Sequence, residues 1–130
     1  MKTGFIGLGA MGLPMAANLA RAGLLQGAWN RDPTKAATLA AETGVHAYDS
    51  PEELAADVDA VVLCVSADQD VLDLVDRIRP SLRPGAIVID CSTVSAETAR
   101  SAAERLAGSG VAFLDCPVSG GVEGARKGTL

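Results

Sequence analysis

Aromatic side chains are scarce: one Trp, one Tyr and two Phe in 130 residues. The apolar positions are mostly Ala, Val and Leu, small enough for helices to lie close on a sheet. Basic clusters are missing too. Eleven Lys and Arg face sixteen Asp and Glu, for a net charge of −5, and no basic stretch stands out, which argues against a nucleic-acid surface. The three cysteines, Cys64, Cys91 and Cys116, form no C-x-x-C or metal spacing. All fall within or at the ends of apolar runs, so they read as buried free thiols of a reducing, cytoplasmic compartment. The longest apolar stretch, 58–67, carries Asp59 and is far too short to span a bilayer. Lys2 and the small residues after it faintly resemble a leader peptide, but the glycine pattern and its amphipathic continuation oppose that reading. The length suits one domain that buries about two-thirds of its unfolded surface.

What is present begins with Gly7-Leu8-Gly9-Ala10-Met11-Gly12. It follows a short apolar strand, read over 2–7, and opens a helix read over 11–22. This strand, glycine turn, helix arrangement can seat a dinucleotide pyrophosphate. Gly7 permits the tight turn, Gly9 lets the backbone approach a phosphate, and Gly12 lets the helix pack on the strand. Free amides and the positive end of the helix dipole would face the anion. A glycine turn that merely joins strand to helix is the plainer alternative.

Further strands are read at 24–29, 45–48, 60–65, 86–90 and 111–114, with helices between them. Asp32-Pro33 and Ser50-Pro51-Glu52-Glu53 carry helix-start signals. The run 60–65 is apolar on both faces, as a central parallel strand requires. The alternation predicts an α/β, doubly wound parallel sheet in the order 3-2-1-4-5-6, with right-handed crossovers. His46, the one histidine, would lie on the outer third strand as a structural or surface residue.

The end of the second strand reads Asn30-Arg31, where an acidic residue would select an unphosphorylated ribose. Asn30 can hydrogen-bond a ribose, and Arg31 can pair with a 2′-phosphate as a planar fork. The expectation is a preference for NADP(H), with NAD the weaker coenzyme. A solvated surface charge is the alternative for Arg31. Polar and glycine clusters follow five strand ends: Gly7–Gly12, Asn30-Arg31, Ser66, Ser92-Thr93 and Ser119–Gly121. In such sheets the carboxyl edge is where ligands bind.

Gly7–Ala16 with Asn18-Leu19, Asn30-Arg31, Asp90-Cys91-Ser92-Thr93, and Asp115–Gly121 continuing to Gly124-Ala125 and Gly128-Thr129-Leu130 together resemble the β-hydroxyacid dehydrogenases. That family includes 3-hydroxyisobutyrate dehydrogenases and tartronate semialdehyde or glyoxylate reductases. The resemblance spans the chain and implies a Rossmann domain with the Gly7–Gly12 loop, Asn30, Arg31, Val65, Ser66 and Thr93 on the coenzyme. It implies that Ser119, Gly120 and Gly121 hold a substrate carboxylate.

The resemblance also points to an absence. Oxidising a hydroxy acid needs a general acid/base near the reacting carbon. The family's lysine lies on a Gly-x-x-Gly-x-x-x-Lys-type helix beyond Leu130, so no catalytic residue is assigned within this chain. Lys127 reads as a solvated lysine. The family's helical domain, which makes much of its dimer interface, is also missing. The chain is therefore expected to be the cofactor-binding part, 1–130, of a longer homo-oligomeric enzyme, inactive by itself. A noncatalytic NADP(H)-binding module is the alternative. An S-adenosylmethionine-dependent transferase is a weaker reading, opposed by Asn30. No membrane, nucleic-acid or metal partner is expected.

Overall fold

The apolar run at the middle of the chain forms the centre of the molecule. In the computed structural model, which describes residues 1–130, Ala60–Leu63 is a strand with every residue buried. Six strands share one sheet: β1 Thr3–Ile6, β2 Leu25–Trp29, β3 His46–Ala47, β4 Ala60–Leu63, β5 Ile87–Asp90 and β6 Ala112–Asp115. All pairings are parallel, and the order is β3-β2-β1-β4-β5-β6, as the strand and helix alternation predicts. Six α-helices connect or follow the strands: α1 Gly12–Arg21, α2 Pro33–Thr43, α3 Pro51–Asp57, α4 Asp68–Ile78, α5 Ala96–Ala107 and α6 Gly121–Lys127.

Strand alternation divides the core into two layers. Ile6, Val61, Leu63 and Val88 point to one face, where Leu54, Val71, Val75, Ile78 and Leu106 cover them. Phe5, Ala28, Val62 and Cys91 point to the other, beneath Leu8, Ala16, Ala36 and Leu39. The helix starts follow their sequence signals. Asp32 Oδ1 accepts from the Thr34 amide at 3.0 Å, and Ser50 Oγ from the Glu53 amide at 3.1 Å.

Two strands are shorter than their apolar runs. The fourth stops at Leu63 because the Val65 amide turns to the Ser92 hydroxyl instead of the ladder. The third keeps only His46–Ala47, with Tyr48 buried beyond it and bonded through its hydroxyl to Asp57. His46 is exposed on that outer strand, its ring centroid 4.4 Å from that of Tyr48.

α6 is an addition to the sequence reading. Its glycines mask a helical pattern, but Gly124 and Ala125 are buried and the helix packs on α1. Asn18 Nδ2 of α1 donates to the Ala125 carbonyl at 2.7 Å and anchors the end of α6. No helix is long and apolar enough to cross a membrane.

Candidate coenzyme crevice

Two glycines shape the turn from β1 into α1. Gly7 has φ +101°, a conformation other residues rarely adopt, and a Cβ there would lie 2.1 Å from the Cys64 carbonyl oxygen. A Cβ on Gly12 would lie 1.9 Å from the Gly7 carbonyl oxygen, so the helix can start only where that side chain is absent. Gly9 is different. Nothing lies within 4 Å of a Cβ built there, and the residue is exposed. The space above it is open to a ligand.

The loop's amides divide in the same way. Leu8 is fully buried, and its amide donates to Asn30 Oδ1 at 2.8 Å. The amides of Gly9, Ala10, Met11 and Gly12 donate to no carbonyl of the chain. They stand at the N-terminus of a ten-residue helix, where unpaired N–H groups and the dipole favour an anion. Met11 is half-buried at the cap position, and Met15 packs against the core.

A crevice of about 400 Å³ runs from this loop past the ends of β1, β2 and β4. Gly7, Gly9, Asn30, Arg31, Val65 and Ser66 line it, so the structure brings these six predicted residues together. A second hollow, about 340 Å³, adjoins it over Gly9–Gly12, Val65 and Ser66 and reaches Thr93. Ser119, Gly120 and Gly121 lie on the same carboxyl edge, at the start of α6, but line neither hollow and are exposed. Gly120 has φ +127° and makes the sharp entry into that helix.

The structure adds to two of the readings. Asn30 is partly engaged within the chain: Oδ1 accepts from Leu8, and Nδ2 donates to the Asp32 carbonyl at 3.2 Å, which leaves one Nδ2 hydrogen and one Oδ1 lone pair at the crevice. It also holds the glycine loop in place. The end of β2 is not clear of carboxylates. Asp70 of α4 lies 3.4 Å from Arg31 Nη2, and Asp73 lines the same crevice. The sequence could not pair Arg31 with a residue 39 positions away.

The wall opposite the glycine loop was also missed. Arg77 makes two hydrogen bonds to Glu52, at 2.8 and 3.1 Å, and its guanidinium carbon lies 5.6 Å from the centre of the Trp29 ring. A flat, cation-backed aromatic wall can stack a heterocycle. The pairing lowers the pKa of the Glu52 carboxyl. The one hint in the sequence is that Asp70, Asp73, Leu74 and Arg77 fall on one helical face.

At the other end, Asp90 is fully buried at the tip of β5. One carboxylate oxygen accepts from the Ser92 amide at 3.0 Å, and Ser92 Oγ accepts from Val65 at 2.9 Å. The second oxygen has no partner. Burial raises the Asp90 pKa against the opposing pull of Ser92. This chain of bonds fixes the two loops that carry Val65 and Thr93. Cys64, Cys91 and Cys116 follow β4, β5 and β6, and burial pushes the Cys91 thiol up to about 12. Lys127 is exposed and 3.5 Å from Glu123. No three or more His, Cys, Asp or Glu side chains are grouped to hold a metal.

Comparisons with known proteins agree with this fold. The family model for the NAD binding domain of 6-phosphogluconate dehydrogenase matches residues 2–130. The chain is 42% identical to 3-hydroxyisobutyrate dehydrogenase of Pseudomonas aeruginosa, covering 97% of this chain and 43% of the relative. It is 38% identical to the NAD-dependent L-serine dehydrogenase of the same organism, again over 97% and 43%. Among solved structures, 3-hydroxyisobutyrate dehydrogenase of Mycobacterium tuberculosis with L-serine superposes with a TM-score of 0.91 at 36% identity, covering 97% of this chain and 43% of that one. Psf3, solved with NADP+, gives a TM-score of 0.86 at 33% identity, covering 97% and 45%. The chain thus spans less than half the length of these relatives.

Proposed function

Since the chain belongs to the family of the NAD binding domain of 6-phosphogluconate dehydrogenase, we propose that it is the nicotinamide-coenzyme domain of a dehydrogenase or reductase acting on a small hydroxy acid. One observation carries the reading: four unengaged amides and an open Gly9 surface at a helix N-terminus, in a crevice that continues to Arg31. These residues fit a dinucleotide. Gly9–Gly12 would take the pyrophosphate, Trp29 and Arg77 would flank the adenosine, and Arg31 would meet a 2′-phosphate. The nicotinamide would supply the hydride acceptor or donor, near Val65, Ser66 and Thr93.

Ser119–Gly121 would bind the substrate carboxylate through the hydroxyl and backbone donors, as the resemblance to β-hydroxyacid dehydrogenases implies. The acid/base lysine and the walls that distinguish one acid from another would come from the part of the relatives that this chain does not match. The 130 residues therefore bind coenzyme and turn over little or no substrate, and the longer protein works as a cytoplasmic homo-oligomer. The similarity to 3-hydroxyisobutyrate and serine dehydrogenases favours this over a noncatalytic module.

Arg31 gives the chain its preference for NADP(H). Losing a charge-assisted contact of about 1.5–3 kcal/mol weakens binding roughly ten- to a hundredfold. Arg31→Ala should therefore weaken NADP+ by about that factor in a calorimetric titration and change NAD+ little. Equal losses for both coenzymes would overturn the assignment.

A further inference from the structure

The α4 helix turns one stripe of side chains, Asp70, Asp73, Leu74 and Arg77, into the coenzyme crevice. Arg31, at the end of β2, lines the same crevice. The two arginines differ in how they are held. Arg77 is clamped by Glu52 and lies against Trp29. Arg31 has a side chain 85% exposed, and its ionic partner is Asp70 at 3.4 Å. Asp73 adds a second carboxylate to the same wall, one helical turn on.

We infer that Asp70 is a specificity-determining residue: it pairs with Arg31 at the crevice and limits how strongly the chain prefers a 2′-phosphorylated dinucleotide over one with a free 2′-hydroxyl. This rests on the dinucleotide reading above and extends it. A phosphate arriving at Arg31 must displace Asp70 or sit beside it. Either way it meets a like charge in the space where it gains its cation. A ribose hydroxyl meets no such opposition, and it can donate to a carboxylate. The acids of α4 therefore subtract from the selectivity that Asn30-Arg31 alone suggests.

Asp70 has a second possible reason to be acidic, since it lies in the first turn of α4, where negative charge complements the helix dipole. Asp68 already fills that role. Its carboxylate accepts from the Ser95 amide at 3.1 Å and the Thr98 hydroxyl at 2.7 Å. It does not line the crevice. The Asp70 carboxylate is directed instead at Arg31.

Calorimetric titration of the chain with NADP+ and NAD+ tests this in the unsubstituted form, Asp70→Asn, Arg31→Ala and the double variant. Asp70→Asn should tighten NADP+ about three- to tenfold and leave NAD+ within about twofold, the range of a partly exposed ion pair plus a removed repulsion. The gain should fall below about twofold in the Arg31→Ala background, because coupled residues are not additive. It should shrink as salt rises from about 20 to 300 mM. Asp70→Ser, checked for folding by circular dichroism, should behave as Asp70→Asn does. NADP+ affinity unchanged, both coenzymes shifted equally, or the full gain retained without Arg31 would overturn the role of Asp70 while leaving the dinucleotide reading intact. Binding of neither coenzyme to the unsubstituted chain would overturn the dinucleotide reading itself, and this inference with it.

Discussion

Asn30 and Leu8 are 22 positions apart, yet the Leu8 amide donates to Asn30 Oδ1 at 2.8 Å. The bond joins the end of β2 to the glycine loop after β1. It takes up the one amide of Leu8–Gly12 that has a partner within the chain and leaves the rest for a ligand. A residue that looks like a ribose contact in the sequence is thus also a support for the glycine loop.

Asn30→Ala should therefore damage binding without altering coenzyme choice. The Leu8 N–H would lose its acceptor in a partly buried place, at a stability cost of about 1–3 kcal/mol. NADP+ and NAD+ should weaken by the same factor, in contrast to Arg31→Ala. Denaturant unfolding together with calorimetry measures both effects. A selective loss of one coenzyme would show that Asn30 reads the ribose directly.

Asp90 predicts a pH dependence of stability. Its pKa is raised above the ordinary value of 3.8, chiefly by burial, with Asp115 and Asp68 adding to the rise. A carboxyl with a raised folded-state pKa binds its proton more tightly when folded. Its stabilising contribution is complete below the unfolded pKa and is lost as pH rises through the folded one. Asp57, Asp59 and Asp68 shift the other way, so the comparison must be with a variant at the same site. Stability of the unsubstituted chain relative to Asp90→Asn should fall as pH rises from about 3 to 7. Urea midpoints at several pH values test this, and a rising difference would contradict it.

The Cys91 thiol should be inert. Its pKa is pushed up to about 12, first by burial and then by the neighbouring Cys116 and Cys64. The thiolate is the nucleophile, so alkylation near pH 8 should run about a thousandfold slower than at an exposed cysteine. Mass spectrometry after iodoacetamide treatment of the folded chain measures this. Rapid modification of Cys91 would show that the carboxyl edge opens on that timescale.

Much of this architecture is legible in the sequence because it depends on local rules. The apolar run 60–65, the caps at Asp32 and Ser50, and Gly7–Gly12 each specify a nearby backbone conformation, and together they yield the observed strand order. The grouping of Gly9, Arg31, Val65 and Ser66 in one crevice follows from parallel strands sharing a carboxyl edge. Side-chain partners between distant elements are not legible in this way. Asp70 meets Arg31, and Arg77 meets Trp29, only because α4 packs between α3 and α5 over one face of the sheet, which brings its exposed stripe to the end of β2. Helix α6 was hidden for another reason. Glycines at 120, 121, 124 and 128 argue against a helix by propensity, while burial of Gly124 and Ala125 against α1 supplies the compensating contact.

Gly9 offers the most direct test of the whole account. A methyl group there meets nothing within 4 Å, so Gly9→Ala should leave the folded chain almost unchanged in thermal unfolding. It should still project into the space assigned to the pyrophosphate. Titrated with NADPH and NADH, the unsubstituted chain should bind at one site, and Gly9→Ala should lose about tenfold or more for both coenzymes, a cost of about 1.4 kcal/mol or greater. No binding heat from the folded unsubstituted chain, or equal affinity in Gly9→Ala, would contradict the claim that a dinucleotide lies over this loop.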